Sequence, residues 1–365
     1  MNRTVVHLVY SLGCGGLEQV IVNLINNSKD YDIEHIIITL VNVQDLYENL
    51  TQKIKIFSLN KGPGSDISSH FALYKLLKKL KPDVLNTYNF GAIEYQFTGF
   101  LAGVKTRIHC DHGHGGDDSS GSSKKRILVR RIISYFLSKY VVVSPNLLKW
   151  GKETIGLKSD KIQLVFNGVD TEKYIPGKDK YNKFTICTVG RADPIKNQSL
   201  LINAYKVLCD THSDFKNTQL LIVGDGPIFN ELQEEVTELN MDSSINLLGY
   251  RNDIDDIMKK SHLFVLSSNY EAMPMTILEA MACDLPVICT DVGGVRYLVS
   301  EDVGWLVPKN DVHAMADAIN LAFRDQVASS IKSVKGRKMV ASKFSINKMV
   351  DEYLILYGVD IKNKM

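Results

Sequence analysis

Apolar residues fall into two patterns that take turns along the chain. Short runs of strand length stand at 5–10, 35–40, 53–57, 83–87, 106–110, 140–143 and 162–165. Between them apolar residues recur at helical spacing: Leu17, Val20, Ile21, Leu24 and Ile25 share one face, and 66–80 and 92–102 behave alike. The alternation halts at 171–183, a polar stretch with Pro176-Gly177 and four lysines. It then restarts, with strands at 184–189, 220–223, 245–248, 263–266 and 286–290 and helices at 311–322, 327–342 and 346–357. Apolar strands alternating with helices predict parallel sheets covered on both faces. The expected fold is α/β, with two Rossmann-like parallel-sheet domains at 1–170 and 171–343 and a terminal helical segment at 344–365. A chain of 365 residues is long for one core and comfortable for two.

Composition narrows the function by exclusion. A net charge of +2 carries no nucleic-acid signature. The six cysteines, Cys14, Cys110, Cys187, Cys209, Cys283 and Cys289, contain no Cys-x-x-Cys pair and read as free thiols in a reducing compartment. The first ten residues are too short and too polar for a signal peptide. No apolar run approaches the ~20 residues of a spanning helix. A cytoplasmic protein, or one peripheral to a membrane, is expected.

The most informative stretch is 267–290, SSNYEAMPMTILEAMACDLPVICT. A strand precedes it, and a helix is expected to start at Pro274, where a missing N–H costs nothing. The N–H groups of Met275, Thr276 and Ile277 are then free to point at an anion, which the helix dipole also favours. Glu271 and Glu279 frame that position. A carboxylate repels phosphate, so accepting hydrogen bonds from sugar hydroxyls is the natural task for both. The turn after strand 184–189, Gly190-Arg191-Ala192-Asp193-Pro194-Ile195-Lys196-Asn197, adds Arg191 and Lys196, two cations able to hold a diphosphate.

Glu271, then Glu279 eight positions on, then Ala280-Met281-Ala282 and Pro286-Val287-Ile288, resembles the donor site of retaining glycosyltransferases of family four. The resemblance covers nearly the whole chain. It implies the GT-B fold, two domains facing across a cleft, with the last helix returning to the first domain. It implies a nucleoside diphosphate sugar as donor, a UDP-sugar being favoured, and a glycan or lipid-linked acceptor in synthesis of bacterial capsule or exopolysaccharide. No metal or other cofactor is expected, since Arg191 and Lys196 stand in for a divalent ion. By the same resemblance Glu271 orients the hexose and Glu279 the ribose. Tyr250 and Arg251 border the base, and Met273, Met275, Thr276 and Ile277 complete the donor wall.

The first half contributes looser motifs. Gly15 and Gly16 belong to a Gly-Gly-x-Glu loop that in the family lies opposite the donor, where glycines let backbone approach the diphosphate. Taken alone, Gly13-Cys14-Gly15-Gly16 is a weak dinucleotide signal or a tight turn. Tyr88-Asn89-Phe90-Gly91 reads as a turn at a strand end, either a plain polar turn or an acceptor contact through Asn89. His109, His112 and His114 stand near Asp111, Asp117 and Asp118, but their spacing matches no common zinc pattern. The family resemblance selects His112 as the histidine at the strand end, a hydrogen-bond donor to a sugar hydroxyl or a proton acceptor. His114 joins it on the acceptor side. Catalytic roles are expected for Glu271, His112, Arg191 and Lys196.

Residues 122–140 carry six basic side chains and no acid. Leu128, Val129, Ile132, Ile133 and Phe136 fall on one side of a helix, with Arg126, Arg130 and Arg131 largely on the other. Such a helix, at 124–139, suits an anionic membrane surface, or an ordinary domain helix with a solvated basic face. Asp253-Ile254-Asp255 spells Asp-x-Asp, yet stands where a helix starts and reads as structural. Two other functions remain open: a nucleotide-sugar epimerase on the same fold, which needs no acceptor, and a binding module without turnover.

Overall fold

The computed structural model describes residues 3–13, 15–42, 49–64, 66–115, 118 and 120–361. Cys14 and Asp117, named above, lie outside the described residues. Two compact units divide the chain: 1–168 with 346–365, and 169–345.

Unit 1 is a seven-stranded sheet in the order β3-β2-β1-β4-β5-β6-β7, parallel throughout. Its strands are β1 (Arg3–Val9), β2 (Ile33–Thr39), β3 (Lys55–Ser58), β4 (Val84–Tyr88), β5 (Thr106–Asp111), β6 (Lys139–Val142) and β7 (Ile162–Leu164). The connecting helices are α1 (Gly16–Asn26), α2 (Ile67–Leu80), α3 (Asn89–Ile93), α4 (Tyr95–Ala102), α5 (Lys124–Ser134) and α6 (Pro145–Trp150). Local chemistry sets their ends. Asp66 accepts from the Ser68 N–H at 2.9 Å to start α2, and Ser144 caps α6 with Pro145 in the first turn. Val6, Leu8, Ile36, Ile38 and Leu85 of the inner strands are buried against Leu73 and Leu77 of α2.

Unit 2 is a six-stranded parallel sheet in the order β10-β9-β8-β11-β12-β13. It contains β8 (Phe184–Val189), β9 (Thr218–Val223), β10 (Ile245–Leu247), β11 (Leu263–Leu266), β12 (Val287–Thr290) and β13 (Trp305–Val307). Around it lie α7 (Gln198–Thr211), α8 (Phe229–Glu238), α9 (Ile254–Lys260), α10 (Met275–Ala282), α11 (Val295–Leu298), α12 (Val312–Arg324) and α13 (Gln326–Lys343). The chain then returns to unit 1 as α14 (Ile346–Leu356).

A buried polar network holds that last helix. Asn86 of β4 donates to the hydroxyls of Tyr88 (2.9 Å) and Tyr357 (2.7 Å). His7 joins the Tyr88 hydroxyl at 2.8 Å and His35 at 2.9 Å, and His35 reaches Ser28 Oγ at 2.7 Å. Within this network each of these side chains finds a buried partner, as burial requires.

Two expectations need correction. Residues 88–91 do not form a turn: α3 begins at Asn89, whose φ of 54° makes the change of direction within a single residue. Nor does a helix run through 124–139 with Arg130 on its polar side. α5 ends at Ser134, and Arg130 is fully buried. The cause is Asp111, buried at the end of β5, which Arg130 Nε meets at 2.8 Å. The Arg130 guanidinium also lies over the rings of Phe90 (4.8 Å) and Trp150 (5.1 Å). Its charge is paired and stacked rather than solvated. No described helix is long and apolar enough to cross a membrane.

Candidate active site

In unit 2 the strand order reverses direction at β8 and β11, which lie side by side although many residues separate them in sequence. Loops leaving adjacent strands at such a point diverge to opposite faces and open a crevice at the carboxyl edge. The loop after β8 carries Arg191 and Lys196, and the loop after β11 carries Glu271. Lys196 Nζ lies 2.6 Å from Glu271 Oε1. Ser268 Oγ donates to the same oxygen at 2.7 Å, and the Asn269 N–H donates to the Ile195 carbonyl at 2.7 Å, tying the two loops together. Arg191 is exposed and has no ion pair among the described residues.

Glycines set how closely these loops approach. A side chain at Gly293, whose φ is +51°, would collide with the Glu271 carbonyl, and the Gly294 N–H donates to that same oxygen at 2.9 Å. Gly224, at φ +132°, passes against the Gly190 carbonyl with no room for a Cβ. Gly293 and Gly294 thus support the backbone of Glu271.

α10 starts directly after Pro274, which stands at its N-cap rather than inside the first turn and offers no side-chain cap. The side chains of Met275 and Ile277 are buried and Thr276 is partly so, leaving their N–H groups as the polar part of that terminus. Met273 is buried just before it. Glu279 lies inside the helix and is nearly enclosed. Burial raises its carboxyl to about 7, against the opposing pull of the Tyr174 hydroxyl bonded to it and of Lys173. Tyr174 stands in the polar segment after the first domain, where no periodicity or motif marks it as part of a site.

Tyr250 is exposed, and the Arg251 guanidinium is held by Asp253 at 2.6 and 2.8 Å. Of the Asp-x-Asp pair, Asp253 stands at the α9 N-cap and Asp255 meets Lys259 at 2.7 Å. Among the described residues no group of three His, Cys, Asp or Glu side chains converges as metal ligands.

The matches to known proteins follow this division. Residues 14–173 match the profile described as glycosyltransferase family 4, and 170–339 the one described as glycosyl transferases group 1. A UDP-Gal:alpha-D-GlcNAc-diphosphoundecaprenol alpha-1,3-galactosyltransferase of Escherichia coli is 33% identical over 317 residues, 82% of this chain and 81% of that one. The chain belongs to the family four glycosyltransferases. A Campylobacter jejuni N-acetylgalactosamine-N,N'-diacetylbacillosaminyl-diphospho-undecaprenol 4-alpha-N-acetylgalactosaminyltransferase is 28% identical, over 95% of this chain and 98% of its own. Anabaena HepE, solved with UDP and glucose, matches with a TM-score of 0.83 at 19% identity, over 97% of this chain and 99% of that one. These likenesses show the GT-B fold.

Unit 1 of the glycosyltransferase brings its own predicted residues together around the ends of β4 and β5. The His112 N–H donates to Asn89 Oδ1 at 2.8 Å, so the Asn89 carbonyl oxygen is already engaged in holding His112. Although His112 is partly exposed as a residue, its Nε2 is enclosed and has no partner among the described residues. Burial lowers its pKa to about 4, so the ring is neutral. His114 is turned aside: its ring lies 4.6 Å from that of Trp150, and its carbonyl accepts from Arg130 at 2.8 Å. His109 is buried between Thr87 Oγ1 (2.8 Å) and Asp111 Oδ1 (3.3 Å). Burial raises the Asp111 carboxyl, but Arg130 and His109 outweigh this and hold it well below the usual range. Gly15 and Gly16 are exposed at the α1 N-terminus, with the Glu18 carboxylate standing where a Gly15 side chain would go. The buried Asp111–Arg130 pair escaped the sequence reading, because helical periodicity gave Arg130 the same standing as its solvated neighbours.

Proposed function

We propose that this glycosyltransferase moves a hexosyl group from a UDP-sugar to a hydroxyl of a lipid-linked or glycan acceptor in bacterial surface polysaccharide synthesis. The anomeric configuration is retained and no metal takes part. The protein works in the cytoplasm, at the inner face of the membrane. The observation that carries this reading is the Lys196–Glu271 contact at the carboxyl edge of unit 2, where the loop after β8 also carries exposed Arg191 and the loop after β11 leads into the uncapped α10 N-terminus. Cations and helix N–H groups suit a diphosphate, and a carboxylate beside them suits hydroxyls. The activities of the Escherichia coli and Campylobacter jejuni relatives support the lipid-linked acceptor, and UDP in the Anabaena structure supports the base.

The C1–O bond to the β-phosphate breaks as the acceptor oxygen forms its bond to C1. The acceptor proton passes to the departing phosphate oxygen, so UDP leaves on the face where the acceptor enters. Lys196, Arg191 and the α10 terminus stabilise charge as it grows on that phosphate. Glu271 positions the hexose and Glu279 the ribose. In unit 1, neutral His112 offers its unpartnered Nε2 to a sugar hydroxyl.

Incubation of the purified protein with a UDP-hexose and a synthetic diphosphate-lipid-linked sugar tests this reading. A lengthened glycolipid with the donor's α linkage, shown by the anomeric proton coupling, is the expected product. Release of a free epimerised sugar from donor alone would replace the reading with an epimerase. Binding of UDP-sugars with neither transfer nor hydrolysis would leave only a binding module.

A further inference from the structure

Because β3, β4 and β5 each connect by a parallel crossover in the same direction along the sheet, to β4, β5 and β6, α2, α4 and α5 lie on the same face of the unit 1 sheet. They are neighbours. His70 of α2 stacks on Tyr95 of α4 at 4.2 Å and bonds Thr98 at 2.7 Å. The rings of Phe97 and Phe100 of α4 lie 5.0 and 5.1 Å from Phe136, just past α5. Each helix buries one stripe on the sheet and leaves a second apolar stripe exposed. On α2 it is Ile67, Phe71 and Tyr74, spaced i, i+4, i+7. On α4 it is Phe97, Phe100 and Leu101, spaced i, i+3, i+4, and on α5 it is Leu128 and Ile132, continued by Tyr135 at the C-cap, again i, i+4, i+7. Half of the exposed large apolar side chains among the described residues fall on these three helices and the α5 C-cap. Such concentration on one face marks a surface that something covers.

Charge says what. The three helices contain no Asp or Glu, while Lys75, Lys78, Lys79, Lys124, Lys125 and Arg131 are exposed on them. A second copy of this chain would set bases against bases. An anionic bilayer satisfies both features, taking the apolar side chains below its headgroups and the lysines among its phosphates.

We propose that the joined outer face of α2, α4 and α5 is a docking surface for an anionic lipid bilayer. It is broader than the basic segment at 124–139, and α2 and α4 contribute as much of it as α5. The choice of lipid as partner agrees with the lipid-linked acceptor proposed above, on which it rests only for its purpose; the surface is read from its own residues.

The test is flotation of the full chain with vesicles of phosphatidylglycerol and phosphatidylethanolamine, and with vesicles of phosphatidylcholine alone, at low and high salt. The wild type is expected on the anionic vesicles at low salt, with binding reduced at least about tenfold on phosphatidylcholine or at high salt. The variant F71S/L101S on α2 and α4, which leaves α5 intact, should bind anionic vesicles at least about tenfold more weakly, since each lost side chain removes buried apolar area. K124E/K125E should lose binding similarly while keeping the apolar stripes. Titration with UDP and thermal midpoints check that each variant is folded and that the donor site is unchanged, so failure here is separable from failure of the transferase reading. Wild-type binding unaffected by F71S/L101S would overturn the three-helix surface. So would absence of vesicle binding at low salt, or a concentration-dependent dimer that F71S/L101S dissolves.

Discussion

Lys196 Nζ and Glu271 Oε1 stand 2.6 Å apart, so the cation assigned to phosphate and the carboxylate assigned to sugar are bonded to each other. Lys196→Ala removes a charge-assisted contact and should weaken UDP by roughly ten- to a hundredfold. Glu271→Ala frees Lys196, so UDP affinity should hold or rise slightly while turnover falls roughly a hundredfold or more. The double variant should lose less than the product of the two effects on UDP-sugar affinity, as bonded neighbours do. Calorimetric titration of the three variants decides it. Equal loss of UDP affinity in both single variants would remove Glu271 from the sugar.

Glu279 adds a pH dependence. Its carboxyl, raised by burial from 4.5 to about 7, gives stability that is complete below 4.5 and lost as pH climbs through 7. Glu279→Gln removes that loss. The variant should therefore gain on the wild type between pH 5 and pH 8, by on the order of 2 kcal/mol. UDP affinity in the wild type should rise through pH 7, as the ribose acceptor ionises, and the variant should lack that rise. Parallel urea melts and UDP titrations at pH 6 and pH 8 would show both effects, and a wild-type affinity flat across that range would dissociate Glu279 from the ribose.

The Asp111–Arg130 pair makes a prediction about stability. Arg130→Ala leaves a buried carboxylate facing only Tyr140 and His109, and should cost roughly 3–5 kcal/mol. Adding Asp111→Asn removes the stranded charge and should recover part of that loss. A cost under about 1 kcal/mol for Arg130→Ala in urea unfolding would mean that the pair does not hold the loop after β5.

Buried histidines set the acid limit. Burial lowers the pKa of His7, His35, His109 and His112, reaching about 3 for His35 and about 4 for His112, against 6.5 unfolded. Their contribution is present above 6.5 and lost as pH falls toward the folded values. Each neutral histidine costs about 1.4 kcal/mol per pH unit below 6.5, and four of them outweigh the opposite trend of Glu279. The thermal midpoint should fall steadily from pH 7 to pH 5; a midpoint that rises on acidification would contradict the buried network.

Chelator is the remaining test of the leaving-group site. With Arg191 and Lys196 supplying the positive charge, turnover should survive excess EDTA nearly intact. Abolition by EDTA and restoration by magnesium or manganese would put a metal where the cations are assigned.

What the sequence determined by itself was whatever repeats locally. Strand and helix periods, Pro274 before α10, and the spacing of Glu271 and Glu279 are short-range patterns, and they sufficed for two parallel-sheet domains and for the donor motif. The returning helix was legible only through family resemblance. Tertiary structure decided the rest, because pairing and burial join residues distant along the chain. Lys196 meets Glu271 across 75 positions, and Asn86 meets Tyr357 across 271. Tyr174, placed by no pattern, reaches Glu279. Arg130 and Arg131 are adjacent and alike in sequence, yet one is enclosed by Asp111, Phe90 and Trp150 while the other faces solvent. Which face of α5 carries its charge outward depends on a carboxylate at the end of another strand, and helical period alone holds no record of that.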